Sequence, residues 1–367
     1  MTVRNERTRS TIRDVARGAD VSATTVSRYL NKNITLPSET AERIDRAIRD
    51  LQYRPNVVAK RLLKGATELI GLATPDIGNP FFAELASAVE ARAAVNGYAV
   101  ILCSSGNLID RELETLDRLA TRHADGLLVL TNLGHDRRLQ RAFHGRRNIV
   151  LLDENIEGLD APRIFVENRE GGRLAARCLI EAGHRRIAHI SGPRSLFSVR
   201  ERALGFLEEA AEAGVDIPET WLRYGAYERS FGRQAAAEVL SGPERPTAIF
   251  AASDFLAMGV LEAMGDLGLS APRDVSLVGF DDVPFAGLLS PPLTTIRQPV
   301  RQMGERGVDA LLAMIRGEPG EPNPVRLPVE LIRRESVAPP VDADGGAAQR
   351  RGSPNRRRPG GRREIAG

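Results

Sequence analysis

Two cysteines, one tryptophan and five histidines in 367 residues leave little material for a disulfide framework or a zinc site. Cys103 and Cys178 each lie inside an apolar run, where a free thiol behaves as a small buried hydrophobe. His123, His135, His144, His184 and His189 show no paired ligand spacing, so no metal and no other cofactor is expected. No run approaches the roughly 20 apolar residues of a membrane span. The N-terminal MTVRNERTRS has no apolar signal core, so the expectation is a cytoplasmic protein with no membrane partner. Catalytic signatures are missing too: there is no GxxxxGK[ST] loop, no strand-bound GxGxxG before a helix and no nucleophile elbow. Nothing here reads as an enzyme.

Lysine is scarce, with Lys32, Lys60 and Lys64 against 48 arginines. Codon usage explains that choice of residue, so the position of the charge carries more meaning than its type. The net charge is only +3, but residues 1–65 hold 14 Lys+Arg against 7 Asp+Glu, and residues 336–367 hold 7 against 3. The stretch between them holds 30 against 38. A basic head on an acidic body directs the head toward a polyanion. The length calls for two or three units with sizeable cores.

Residues 11–31, TIRDVARGADVSATTVSRYLN, read as two short helices joined by a tight turn. In the first, Ile12, Val15 and Ala16 share a face, and Thr11 with Asp14 forms a cap of the capping-box type. Gly18 to Val21 make the turn. Ser22 is a natural N-cap for the second helix, whose Val26 and Leu30 point inward and whose Ala23, Thr24, Ser27 and Arg28 point outward. Hydroxyls plus an arginine on an exposed helix suit base edges and phosphates. Taken alone, an ordinary helical hairpin with a solvated face would also fit. Ser38 is expected to cap a third helix whose Ala41, Ile44, Ala47, Ile48 and Leu51 close a small core. Asn56 can then cap a short helix ending at Gly65. It is too short to be stable alone, so it needs a partner helix, a groove, or both.

From Glu68 the pattern becomes α/β. Short apolar runs at 69–75, 98–104, 125–131, 148–154, 186–191, 247–253 and 275–281 suit parallel strands buried on both faces. Helical stripes lie between them, among them Phe81 to Asn96, Arg111 to Arg122, Arg169 to Ala182, Glu201 to Ala213, Gly232 to Leu240 and Phe255 to Leu267. The architecture expected is doubly wound. Periodicity alone leaves open one large sheet or two smaller ones.

SATTVSRYLN followed by YRPNVVAKRLLKG resembles the N-terminal headpiece of the lactose-repressor family of bacterial transcription regulators. RCLIEAGHRRIAHISGP, ASDFLAMGVLEAMGDLGLSAPRDVSLVGFDD, PPLTTIRQP and LPVELIRRES resemble the effector-binding core of the same family, itself similar to periplasmic sugar-binding proteins. The resemblance implies a helix-turn-helix domain at 11–54 after a flexible basic 1–10, a hinge helix at 55–65 and a core at 66–336. That core would comprise two α/β subdomains, one of about 66–166 with 297–325 and one of about 167–296 with 326–336. Residues 337–367 form a Pro/Gly/Arg tail too poor in apolar residues to fold.

The resemblance also assigns roles. After the Ser22 cap, Ala23, Thr24 and Arg28 would read major-groove bases, while Thr25, Ser27 and Asn31 would anchor phosphates. Leu62 would wedge into the minor groove with Ala59 beside it, unstacking offset by the contacts the bend permits. The effector would sit where the carboxyl ends of both sheets meet. Positions matching the family's effector contacts are Asn79, Phe81, Phe82 and Asp153 in the first subdomain. In the second they are Arg202, Tyr227, Ser253, Asp254 and Asp281, with Gln298 on a crossing segment. Carboxylates accept from hydroxyl pairs, arginine donates to ring oxygens, and aromatic faces stack on C–H surfaces, which fits a sugar. Asp254, directly after a strand and before a helix, also suits an N-cap.

The reading is therefore a homodimeric repressor of palindromic operator DNA, gated by a small ligand, expected to be a sugar. No leucine heptad for tetramers is present. The alternatives are a nucleobase or sugar-phosphate effector, or a solute-binding protein of the same core fold.

Overall fold

The computed structural model describes residues 10–31, 33–53, 66–121, 124–320 and 323–341. The expected hinge helix with Ala59 and Leu62, and nearly all of the C-terminal tail, lie outside the described residues. The chain divides into two compact units, Met1–Glu68 and Leu69–Gly367.

The first unit holds three helices: α1 (Ile12–Ala19), α2 (Ala23–Leu30) and α3 (Ser38–Asp50). The capping box forms at α1, where Asp14 Oδ2 accepts from Thr11 N at 2.9 Å. Asp20 adopts φ 52° after the helix, and the chain turns to Ser22, whose Oγ accepts from Thr25 N at 3.0 Å and caps α2. Ser38 does not cap α3. It is the first helical residue, because Pro37 takes the N-cap place and its carbonyl accepts from Thr40 N and Ala41 N, each at 3.0 Å. Val15, Ala16, Ala19, Val26, Ile44 and Ala47 make the core of this unit.

The second unit contains two six-stranded sheets. In chain order the elements are β1 (Leu69–Thr74), α4 (Pro80–Val95), β2 (Ala99–Ser104), α5 (Ile109–Thr121), β3 (Gly126–Val129), α6 (Arg137–Phe143), β4 (Ile149–Leu152) and β5 (Arg163–Val166). Then follow α7 (Asn168–Glu181), β6 (Ile187–Ser191), α8 (Phe197–Glu212), β7 (Leu222–Tyr224), α9 (Arg229–Leu240), β8 (Ala248–Ala251), α10 (Asp254–Asp266) and β9 (Ser276–Asp281). The last elements among the described residues are β10 (Thr294–Arg297), α11 (Val300–Arg316), β11 (Val325–Leu327) and β12 (Glu330–Ile332). The first sheet has the order β11-β5-β4-β3-β1-β2, the second β12-β10-β9-β8-β6-β7. Every pairing is parallel except β10 with β12. The chain crosses between the sheets three times, after β5, after β10 and between β11 and β12. Each sheet with its helices forms one lobe, and α11 belongs to the first, pairing Asp309 with Arg92 of α4 at 2.8 Å.

Helix α8 starts at Phe197, one turn earlier than the apolar stripe suggests, so Arg202 stands in its second turn and does not open it. Its packing against α7 depends on glycine. A Cβ on Gly205 would lie 1.8 Å from Arg169 O, and one on Gly172 would lie 2.1 Å from Arg202 O. The two helix backbones therefore touch, and the contact sets the depth at which Arg202 sits. Gly205→Ala should force the helices apart and destabilise the second lobe by about 1–3 kcal/mol, as overpacking does. Gly265→Ala, at the far end of α10 with nothing within 4 Å of the added methyl, should instead stabilise by about 0.5–1 kcal/mol. Urea midpoints of the two variants, moving in opposite directions from wild type, check this.

Candidate functional site

Helix α2 carries the expected DNA-reading residues. Thr24 and Arg28 are exposed one turn apart on the same face, and Ser22 is exposed at the cap. Ala23 is half-buried and packs on the small core, so it offers a methyl edge and not a free side chain. Thr25 shares a 2.8 Å hydrogen bond with Ser22 Oγ, and Asn31 Nδ2 donates to Ser27 O at 2.9 Å. These three polar side chains are ordered before any partner arrives. Tyr29 Oη donates to Asp45 of α3 at 3.1 Å and fixes the roll of α2.

Between the lobes lies a cleft with an empty volume of about 420 Å³, part of it open to solvent. The carboxyl ends of both sheets feed it. From the first lobe come Asn79, Phe81, Phe82 and Asp153, and from the second Arg202, Tyr227, Ser253 and Asp281, with Gln298 from the crossing after β10. Asp254 is the exception. It is fully buried behind the cleft, where Oδ2 accepts from Val283 N at 2.9 Å and Oδ1 from Thr295 Oγ1 at 2.6 Å. Nor is it the N-cap of α10, since Ser253 takes that place through Leu256 N at 3.1 Å. Asp254 ties β9 to β10 and does not line the cleft.

The local folding explains the positions. Asn79 caps α4, its Oδ1 accepting from Phe81 N at 3.1 Å, which turns the edge-to-face pair Phe81 and Phe82 toward the cleft floor. Asp153 and Asp281 stand at the ends of β4 and β9 with φ of 60° and 116°. Positive φ is uncommon for a residue with a Cβ and costs on the order of 1–3 kcal/mol. Both carboxylates are held in it at the same cleft.

Arg202 is the centre of the site. It is 3% exposed, with Nε donating to Asn168 Oδ1 at 2.7 Å and Nη1 to Ala252 O at 2.8 Å. Its guanidinium lies over the Phe280 ring at 3.7 Å, and Nη2 is 3.6 Å from Asp153 Oδ2. Gln298 Nε2 donates to Asp281 Oδ1 at 2.7 Å. Three polar atoms of the cleft, Asp153 Oδ1, Tyr227 Oη and Gln298 Oε1, are buried with no hydrogen-bond partner. Such groups are costly unless something binds them.

Six lining residues escape the sequence reading: Pro75, Leu130, Thr131, Asn132, Glu154 and Ser198. The same strand-end rule that selected Asp153 reaches Thr131, Asn132 and Glu154, each within three residues past a strand end. Ser198 is visible only once α8 is known to begin at Phe197.

An exposed helix built to enter a DNA groove, on the same chain as a two-lobed cleft lined with unpaired polar atoms, defines a ligand-controlled DNA-binding regulator. Residues 11–56 match the model of bacterial regulatory proteins of the lacI family, and residues 176–337 match a periplasmic binding protein-like domain. The chain is 38% identical over 332 residues to the HTH-type transcriptional repressor PurR of Shigella sonnei (strain Ss046), covering 90% of this chain and 97% of that one. The Escherichia coli SMS-3-5 PurR matches equally. Among solved structures, the Lac repressor bound to ONPG in its repressed state superposes with a TM-score of 0.80 at 29% identity, covering 90% of this chain and all of that one. A CelR–cellobiose complex gives 0.68 at 32% identity, covering 89% and 100%. A putative ribose operon repressor from Burkholderia thailandensis gives 0.66 at 33%, covering 72% and 98%. This chain belongs to the lacI family and is a DNA-binding transcriptional repressor under ligand control.

The buried acids give the cleft a pH signature. Burial, reinforced by Asp153 beside it, pushes Glu154 up to about 8. Burial likewise raises Asp281 above the ordinary carboxylate range, against the pull of Arg202. A carboxyl whose pKa is raised on folding contributes stability that is full below its unfolded value and lost as pH rises through the folded one. His189, sandwiched between Phe206 and Phe250 and pushed down to about 4 by burial, works the other way, but only below its ordinary 6.5. Between pH 6.5 and 8 the acids therefore dominate. Thermal melts should show wild-type stability falling across that window, and Glu154→Gln should flatten the fall.

Proposed function

We propose that the cleft takes a small neutral polyhydroxylated ligand, a sugar, and that its binding changes the affinity of a homodimer for a near-palindromic operator. One observation carries this reading: Arg202 and Asp153 face each other across the cleft, and the partnerless atoms of Asp153, Tyr227 and Gln298 surround them. A hydroxyl-rich ring supplies donors to both carboxylates and acceptors to Arg202, and turns its C–H face to Phe81, Phe82 and Tyr227. A sugar phosphate fits less well, because Asp153, Glu154 and Asp281 stand around the single arginine. A flat nucleobase is the second reading, favoured by the same three aromatic side chains.

Regulation needs a ligand that binds one arrangement of the lobes better than another. Closing the cleft would move the first lobe, which follows the hinge segment in the chain, and so alter how the two headpieces of a dimer are spaced.

A thermal-shift screen against sugars, sugar phosphates and nucleobases identifies the class, since a ligand at 100 times its Kd raises stability by about 2.7 kcal/mol. Arg202→Ala should then lose about tenfold to a hundredfold in affinity for that ligand by calorimetry, the loss of a charge-assisted hydrogen bond. Its operator binding without ligand should persist. Wild-type ligand affinity in a folded Arg202→Ala protein would remove the cleft chemistry and leave the repressor assignment standing.

For DNA, Ala23, Thr24 and Arg28 read bases, and Thr25, Ser27 and Asn31 hold phosphates. Changing Ala23 and Thr24 together should shift the preferred operator bases, at about 1–3 kcal/mol per lost contact. Ser27→Ala should weaken every site alike. Selection from a random library, with the binding matrix compared between variants, separates the two roles.

A further inference from the structure

Glu154 follows Asp153 at the end of β4 in the first lobe, yet its carboxylate serves the second lobe. It accepts from Phe197 N at 2.9 Å and from Ser198 N at 3.3 Å, and it also accepts from the Ser198 hydroxyl. These are first-turn groups of α8, a helix whose N-cap residue, Leu196, offers no side-chain cap. A carboxyl group there accepts from N–H groups that the helix itself leaves unpaired. The same turn is gripped a second time. The Phe197 ring lies 4.7 Å from Phe165 of β5, and the Arg326 guanidinium of β11 lies 5.5 Å and 6.0 Å from the two ring centres.

Glu154, Phe165 and Arg326 all sit on the first lobe, whereas Phe197 and Ser198 sit on the second. We propose that Glu154 is a built-in latch, its carboxyl group bridging the cleft to the start of α8 so that the lobes stay together without an effector. An effector that prefers the closed lobes then meets a cleft already closed in much of the population, and its apparent affinity is reduced less by the open fraction. The latch is a property of the ligand-free chain, so it stands or falls apart from the identity of the effector.

Amide hydrogen exchange on ligand-free, full-length protein tests it at two segments. Residues 195–202 lie on the α8 side, and residues 76–83 carry Asn79, Phe81 and Phe82 of the first-lobe wall. Glu154→Ala should raise exchange several-fold in both segments. Glu154→Gln should raise it less, because an amide oxygen still accepts from an N–H, and Ser198→Ala should act in the same direction more weakly. If Glu154→Ala does not fold, these two milder variants carry the test. Faster exchange confined to 195–202 would reduce Glu154 to the cap of one helix and overturn the latch. Unchanged exchange in both segments would overturn it as well.

Discussion

A guanidinium buried to 3% exposure is the constraint around which the ligand-binding core is arranged. Removing a charge from water costs several kcal/mol, and it must be recovered from a full set of partners. Arg202 has Asn168 from α7, a carbonyl from the end of β8, an aromatic face from β9 and a carboxylate from the other lobe. Four elements must converge on one side chain. The glycine contact of α7 with α8 makes that convergence possible, since a single methyl at Gly172 or Gly205 would overlap backbone atoms. The small residues between helices and the charged residue in the cleft are thus one design.

The acids at the cleft and behind it differ in their duties. Asp254 is locked between strands, Glu154 is engaged by α8, and Asp281 is shared with Gln298. Asp153 has one buried oxygen with no partner while its other oxygen faces the arginine. The ligand-facing polar groups are accordingly Arg202, the carboxyls of Asp153 and Asp281, the Tyr227 phenol and the Gln298 amide oxygen.

Much of this was legible in the residues. The capping box at Thr11 and Asp14, the Ser22 cap and the strand runs ending in Asp153 and Asp281 are local signals that survive folding. Strands β5, β7, β10, β11 and β12 were not legible, because they are three or four residues long and, unlike β3, β4 and β8, do not sit in a longer apolar run. The misreading of Asp254 has a similar cause: a carboxylate after a strand looks the same whether it points into a cleft or back between β9 and β10. Choosing between those directions required Thr295, 41 residues away.

The three crossings between lobes place the last paired strands of both sheets near the end of the described chain. Strand β11 closes the edge of the first sheet, and β12 closes that of the second. Ser336 then accepts from Thr294 N at 2.8 Å and donates to Leu277 O at 2.6 Å, fastening β9 and β10 from outside. A ribosome adds residues vectorially at about 5–20 per second. The three-helix unit can therefore fold while the core is still being made, whereas neither lobe is complete until residues 325–336 have emerged. During synthesis the DNA-reading helix precedes its own regulatory domain, and the cleft forms last.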